Sequence, residues 1–393
     1  MYTSYPRPVR LHDGRTGELV DVETRPRMGV YVCGITPYDS AHVGHAFTYV
    51  HFDVLVRYLR RRGAEVTHVR NVTDVDDDIL RVARERGVDF RELAARETEK
   101  FARDMGALGV VPPTVSPRAT EFVPEMVEEV ERLVAAGFAY ERGGNVYFRV
   151  AADSGYGRLS GLSRQEMLRL AEERGGHPED PEKDDPLDFV LWQRSAPDEP
   201  WWDSPWGRGR PGWHIECSTM ALRLLGRPVD IHGGGDDLIY PHHECELAQA
   251  EGVPSGAPFV RHWMHTGSVA QDGTKMSKSL GNLVFVSDLL ERYDGATIRS
   301  FLLRRHYRDD WEFDEGDLEA FAARSAGGLS RNSGVPAGST GREAFFGALD
   351  RDLDAPAALD ILDRAASRPE DADARRLLEE GTDMLGLHPS DRR

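Results

Sequence analysis

Two histidines flank a small turn at Ala41-His42-Val43-Gly44-His45, between a strand-like run and a helical stretch. In that place they can donate to phosphate oxygens, helped by the free backbone N–H groups of a helix N-terminus. The same pair also reads as plain turn and helix-cap histidines. A second string, Lys275-Met276-Ser277-Lys278-Ser279, puts two lysines on a small loop. They can neutralise the charge that builds on a triphosphate attacked at its α-phosphorus, although a lysine-rich loop alone is also an ordinary solvated surface. Cys33, Cys217 and His242 are donor types that Zn²⁺ prefers, with Glu246 one helical turn beyond His242 on the same face. By themselves they also read as buried cysteines and a surface histidine pair. Cys245 lies in the same stretch, but its side chain is expected to point elsewhere on the helix.

These groups need elements to hold them. The apolar run 28–33, turn chemistry at 34–39, a helical stretch over 45–62 and a strand-like run over 65–72 argue for a parallel sheet with crossover helices. From about 112 to 185 the pattern changes: amphipathic helices at 123–136 and 163–174 flank a strand at 145–150, which reads as an insertion within the sheet. Strand patterns resume at 228–232 and 260–268. Helices follow at 288–293, 296–306 and 318–325. Residues 332–342 have linker composition, and a short helical tail comes after.

The balance of 49 Lys+Arg against 67 Asp+Glu gives a net charge of −18. Nonspecific binding to a phosphate backbone is then a poor main occupation, and DNA is not an expected partner. Three separated cysteines make no disulfide framework and read as thiols or metal ligands of a reducing compartment. No apolar stretch approaches the roughly 18 residues of a membrane span, and the start MYTSYPRPVR lacks the apolar core of a signal peptide. A cytoplasmic, monomeric enzyme without membrane partners is expected.

HVGH and KMSKS, in this order, resemble the HIGH and KMSKS signatures of the class I aminoacyl-tRNA synthetases. NVTDVDD (71–77), PLDFVLW (186–192), GRPGWHIECS (209–218) and DIHGGGDDLIYPHHE (230–244) are similar to the cysteine-specific branch. The resemblance runs through about residue 325. It implies an α/β fold: a Rossmann-like parallel sheet in residues 1–286, an inserted α+β segment, a stem-contact-like helical region at 287–331, and a linker with a C-terminal helical tail at 332–393. It also implies activation of L-cysteine by ATP, with His42, His45, Lys275 and Lys278 as catalytic residues. Zn²⁺ on Cys33, Cys217, His242 and Glu246 is the implied cofactor, and ATP, with Mg²⁺, the co-substrate. A metal binds the thiolate of cysteine far better than the hydroxyl of serine. Thr73, Trp213 and His232 match the amino-acid pocket. Gly34, Ile35, Thr36, Thr48, Asn71, Val72, Gly235, Asp236, Asp237 and Val269 match positions on the substrate and adenylate side. The acidic run 74–78 reads as structural or solvated rather than as a magnesium site.

The acceptor divides the readings. Glu173-Arg174-Gly175-Gly176-His177-Pro178 resembles the ERGGDP signature of the mycothiol-forming ligases, which join cysteine to the amine of glucosaminyl-inositol. GITPYD (34–39) is similar to the same ligases. A helix end with a glycine stop accounts for the ERGG string as well. Only 114 residues follow Ser279, and residues 342–393 hold 8 Arg and no Lys against 13 Asp+Glu. An RNA-reading module would interleave basic and aromatic residues. Against this, His177 replaces the Asp of the signature, while Glu246, KMSKSLGN and PHHECELAQAEG are similar to the tRNA synthetases. A small amino-sugar acceptor is the first expectation and tRNA the alternative. A non-catalytic synthetase-like binding protein is the remote third, disfavoured because both signatures and all the metal donors are kept.

Overall fold

A computed structural model of the chain describes residues 8–253, 256–276, 281–326 and 339–388. A hairpin of β1 (Val9–Asp13) and β2 (Glu18–Val22) comes first. The run RMGVYVCGI forms β3 (Arg27–Ile35), with Val30, Tyr31, Val32, Cys33 and Ile35 buried, as suits a strand inside a parallel sheet covered on both faces. Helix α1 (Val43–Arg61) crosses over to β4 (Glu65–Val72), which pairs parallel with β3. Two helices absent from the expectations follow, α2 (Asp77–Arg86) and α3 (Phe90–Ala107). Their stops and starts are written locally: Asp76 caps α2, Gly87 ends it in the left-handed region, and Asp89 caps α3.

Helix α4 (Val123–Ala135) leads into the inserted module, built of β5 (Ala139–Arg142), β6 (Asn145–Phe148), α5 (Arg164–Glu173), β7 (Phe189–Arg194) and β8 (Gly209–Pro211). Its four strands form one antiparallel sheet in sequence order. Because β7 pairs with β6 and β8 with β7, the insertion extends to Pro211 rather than ending near 185. Helix α6 (Trp213–Leu225) then returns the chain to the central sheet. That sheet is completed by β9 (Val229–Gly235) and, after α7 (Glu244–Gly252), by β10 (Val260–Thr266). Its order is β10-β9-β3-β4, all parallel.

Strands β11 (Val269–Gln271), β12 (Thr274–Lys275) and β13 (Trp311–Glu312) make a further small sheet. Helices α8 (Val286–Leu290), α9 (Gly295–Leu303) and α10 (Glu315–Ala326) lie around these strands in the chain order, and α11 (Ser339–Leu349), α12 (Ala355–Ala366) and α13 (Ala372–Met384) follow. Residues 339–342, read as linker, already belong to α11, where Arg342 pairs with Glu380 of α13 at 2.7 Å; residues 332–338 lie outside the described residues. No helix among the described residues is long and apolar enough to cross a membrane.

The C-terminal helices are fastened to the α1 side of the central sheet by buried charge. Arg299 of α9 is fully buried; it pairs with Asp53 of α1 and donates to the carbonyls of Leu385 and Leu108. An Arg299→Met exchange leaves the Leu385 and Leu108 carbonyls without that donor and Asp53 with Arg57 as its one remaining arginine, and is expected to cost about 3 kcal/mol, read as a lower urea midpoint.

Acid acts through a different pair. Burial pushes His68 down to about 3 and His51 down to about 4, from an ordinary 6.5. Below pH 6.5 the unfolded chain takes up protons that these folded imidazoles refuse. Their contribution to stability is thus complete above pH 6.5 and lost as pH falls toward 4, by roughly 1.4 kcal/mol per histidine per pH unit. Urea titrations at several pH values should show this slope, reduced in His68→Asn.

Candidate active site and metal centre

The carboxyl ends of β3, β4 and β9 meet around one glycine. Pairing between β3 and β4 shifts register between Val32 and Ile35. Inside that irregularity Gly34 donates its N–H to the Asn71 side-chain oxygen at 2.8 Å. A Cβ on Gly34 would stand 1.6 Å from the Asn71 carbonyl oxygen, so no other residue fits. Asn71 in turn donates to the Thr73 hydroxyl at 3.2 Å, and Thr73 N–H donates to the Ile35 carbonyl at 2.9 Å.

This close approach turns Cys33 into a buried cage. Cys33, Cys217 of α6, His242 in the turn before α7 and Glu246 of α7 bring one donor atom each to within 4.8 Å of one another. Cys33 Sγ lies 3.5 Å from Glu246 Oε1, and His242 Nε2 lies 3.2 Å from the same oxygen. Both histidines of the 242–243 pair are buried, so they are not a surface pair. Glu246 Oε2 has no hydrogen-bond partner among the described residues. Burial, with the neighbouring acids, pushes the Cys33 thiol far up. Burial likewise raises the Glu246 carboxyl and drives His242 well down. Soft thiols, a neutral imidazole and a carboxylate with an orphaned oxygen fit a cation, which supplies the charge that lets the acids ionise. The cluster can hold a metal ion.

Its support is aromatic and imidazole. Trp213 stacks on His242 at 4.2 Å, and His242 Nδ1 faces His214 Nδ1 at 3.0 Å, fixing the ring so that Nε2 faces the cage. Tyr31 stacks on His232 of β9 at 4.9 Å. Cys245 Sγ contacts the Tyr156 hydroxyl at 3.4 Å instead of joining the cage.

The other wall is the start of α1. His42 is its N-cap: His45 N–H donates to His42 Nδ1 at 3.4 Å, and the two rings stack at 3.7 Å. A Cβ on Gly44 would lie 3.0 Å from the His42 ring, so glycine leaves that ring its place. Thr48 and Thr266 share a hydroxyl hydrogen bond of 2.8 Å. Asp76 caps α2 and accepts from Thr36, while Asp74 accepts from Thr120; this acidic run works inside the structure. Arg174, at the end of α5, donates to the carbonyls of Asp237 and Tyr240, tying the inserted module to the turn after β9.

Residues 19–323 match the family described as tRNA synthetases class I (C) catalytic domain. The chain belongs to this class I synthetase family. Among its relatives, the L-cysteine:1D-myo-inositol 2-amino-2-deoxy-alpha-D-glucopyranoside ligase of Nocardiopsis dassonvillei is 47% identical over 91% of this chain and 88% of its own length. The Thermobispora bispora ligase of the same name is 46% identical over 96% and 94%. The cysteine--tRNA ligase of Geobacter sulfurreducens is 49% identical, over 80% of this chain and 65% of its own length. Methionyl-tRNA synthetase of Mycobacterium tuberculosis, solved with methionyl-adenylate, superposes with a TM-score of 0.63 at 18% identity, covering 92% and 90% of the two chains. The fold is that of the class I synthetases.

Within this synthetase-family chain, several of the expected residues stand at the carboxyl ends of the parallel strands, where open α/β sheets bind ligands, while Thr48 lies in α1, Trp213 opens α6 and His232 sits mid-β9. Gly34 and Ile35 end β3, Asn71 and Val72 end β4, Gly235 ends β9, and Asp236 and Asp237 follow it. Val269 opens β11. Lys275 lies in β12, paired with Ala270; Lys278 falls outside the described residues. The sequence reading gave no role to His243, His265 or Glu216. His243 Nε2 lies 3.3 Å from Cys33 Sγ and its Nδ1 2.8 Å from His265 Nε2. Glu216 is fully buried beside Cys217. The second histidine of His242-His243, three residues before Glu246, was the one signal available.

Proposed function

We propose that this chain activates L-cysteine with ATP and transfers it to the amine of glucosaminyl-inositol, the amide-forming step of mycothiol biosynthesis, as a cytoplasmic monomer. One observation carries the choice of acceptor. Similarity to the sugar ligases extends over 91–96% of this chain, whereas similarity to the cysteine--tRNA ligases covers 76–80% of it. The division of labour proposed is catalysis in residues 1–286, stem-contact-like helices at 287–331, and a linker with helical tail at 332–393.

In the first step the cysteine carboxylate attacks the α-phosphorus of ATP, accompanied by Mg²⁺, and pyrophosphate leaves. His42 and His45 bind the phosphate oxygens from the first turn of α1, and the charges of Lys275 and Lys278 add to theirs. The helix N-terminus adds its own N–H groups to the same charge. In the second step the acceptor amine attacks the adenylate carbonyl; an amide forms, the amine loses a proton and AMP leaves. Positioning and charge stabilisation suffice, with no protein nucleophile. Cys33, Cys217, His242 and Glu246 would hold Zn²⁺, which supplies thiolate selectivity for cysteine over serine when bound. Thr73, Trp213 and His232 line the amino-acid pocket. Gly34, Ile35, Thr36, Thr48, Asn71, Val72, Gly235, Asp236, Asp237 and Val269 shape the adenylate side.

The test is a side-by-side assay, giving the zinc-loaded enzyme cysteine, ATP and either glucosaminyl-inositol or tRNA. Amide formation with the amino sugar is the expected product. Efficient tRNA charging with no amide overturns the acceptor reading, and absence of cysteine-dependent ATP–pyrophosphate exchange overturns activation itself.

A further inference from the structure

The metal reading above leaves two cage-facing imidazoles without a metal role. His243 and His232 are both fully buried. The contact from His243 Nδ1 to His265 turns its Nε2 toward the cage, the arrangement that orients histidine ligands. That Nε2 lies 3.3 Å from Cys33 Sγ and 4.0 Å from Glu246 Oε1. His232 Nε2 lies 3.6 Å from the same sulfur and 3.4 Å from the same oxygen. Cys33 Sγ and Glu246 Oε1 are themselves 3.5 Å apart. A tetrahedral ion with metal–donor bonds of about 2.0–2.3 Å holds its donors roughly 3.3–3.7 Å from one another. These contacts meet that spacing to within a few tenths of an ångström, without Cys217 or His242.

We propose that the cage offers one ion two alternative seats. One is Cys33, Cys217, His242 and Glu246; the other is Cys33, His232, His243 and Glu246. Cys33 and Glu246 belong to both, and the seats are taken as alternatives for a single ion, which the one-ion stoichiometry with cobalt tests. The seats differ in charge. With a divalent ion the first carries two thiolates and a carboxylate and is net negative, while the second has one thiolate fewer and is neutral. A further anionic donor is therefore less costly to bring to the second seat in a buried cage. The proposal rests on the cluster being a metal site, and its test separates the two.

Cobalt(II) is the probe, because its visible bands report tetrahedral geometry and its sulfur charge-transfer band counts thiolates. Cys217→Ser and Cys217→Ala should each still take up one cobalt ion per chain, tetrahedral, with half the charge-transfer intensity and an affinity within about a hundredfold of the unaltered chain. His242→Asn offers the same test from the other wall of the cage. Adding His243→Gln to Cys217→Ser should abolish binding. His243→Gln alone should keep a two-thiolate spectrum. Loss of cobalt from both Cys217 variants and from His242→Asn, with circular dichroism unchanged, overturns the second seat and leaves the metal reading standing. So does undiminished binding in the double variant. An unaltered chain that binds no cobalt overturns the metal reading itself.

Discussion

Cys33→Ser is expected to leave purification without bound metal and to lose cysteine-dependent ATP–pyrophosphate exchange by roughly a thousandfold, about 4 kcal/mol of transition-state stabilisation. The size of the effect follows from where Cys33 sits. Its sulfur touches Glu246, His232 and His243 and shares a hydrogen bond with Cys217, so every donor set in the cage includes it. Serine fills nearly the same volume with a donor whose proton a divalent ion removes far less readily. Folding should survive, since Cys33 packs as a small residue at the end of β3. Metal content, far-UV circular dichroism and exchange activity on one preparation separate the cases. Full activity without metal would refute the assignment of the cage.

Gly34→Ala is the second large effect, and it acts on structure. The added methyl would stand 1.6 Å from the Asn71 carbonyl oxygen and 2.7 Å from its carbonyl carbon, both backbone atoms that cannot swing aside. Strands β3 and β4 must part where they hold Cys33 and Thr73. A loss of at least about 4 kcal/mol is expected, in the range reserved for a specific structural violation, or failure to accumulate folded protein. Gly106→Ala is the control. Nothing lies within 4 Å of the methyl it adds near the end of α3, and the exchange should be neutral or stabilising by up to about 1 kcal/mol. Thermal melts of the two variants settle the comparison; an equal melting temperature for Gly34→Ala would refute the close-approach argument.

The central fold was readable because its signals are local. β3, α1 and β4 follow from a β-branched run, turn residues and an amphipathic stretch in immediate succession. Helices α2 and α3 were equally local, announced by Asp76, Gly87 and Asp89, yet their charged composition hides a one-sided apolar face. The metal cage was of another kind. Its donors come from β3, α6, the turn before α7 and α7 itself, and no periodicity says that those elements converge; donor type nominated the four, and the resemblance decided for a shared ion. His243 escaped because a histidine doublet reads as solvated until the turn before α7 is seen to bury both rings. The end of the insertion was missed for a similar reason, since β7 and β8 are recognisable as its strands only through their pairing with β6.

Asp352 deserves a last consequence. It accepts from the His12 backbone N–H, 340 residues earlier, at 2.8 Å, while also receiving the Tyr307 hydroxyl and Arg308. Arg10 of the first hairpin forms a bridge with Arg351 beside it. The hairpin already docks on β10, where Trp263 N–H donates to Asp13 at 3.0 Å, and the Asp352 segment locks it from 340 residues farther along the chain. Contacts of such sequence separation slow folding, so the seam between the first hairpin and Asp352 is expected to close late.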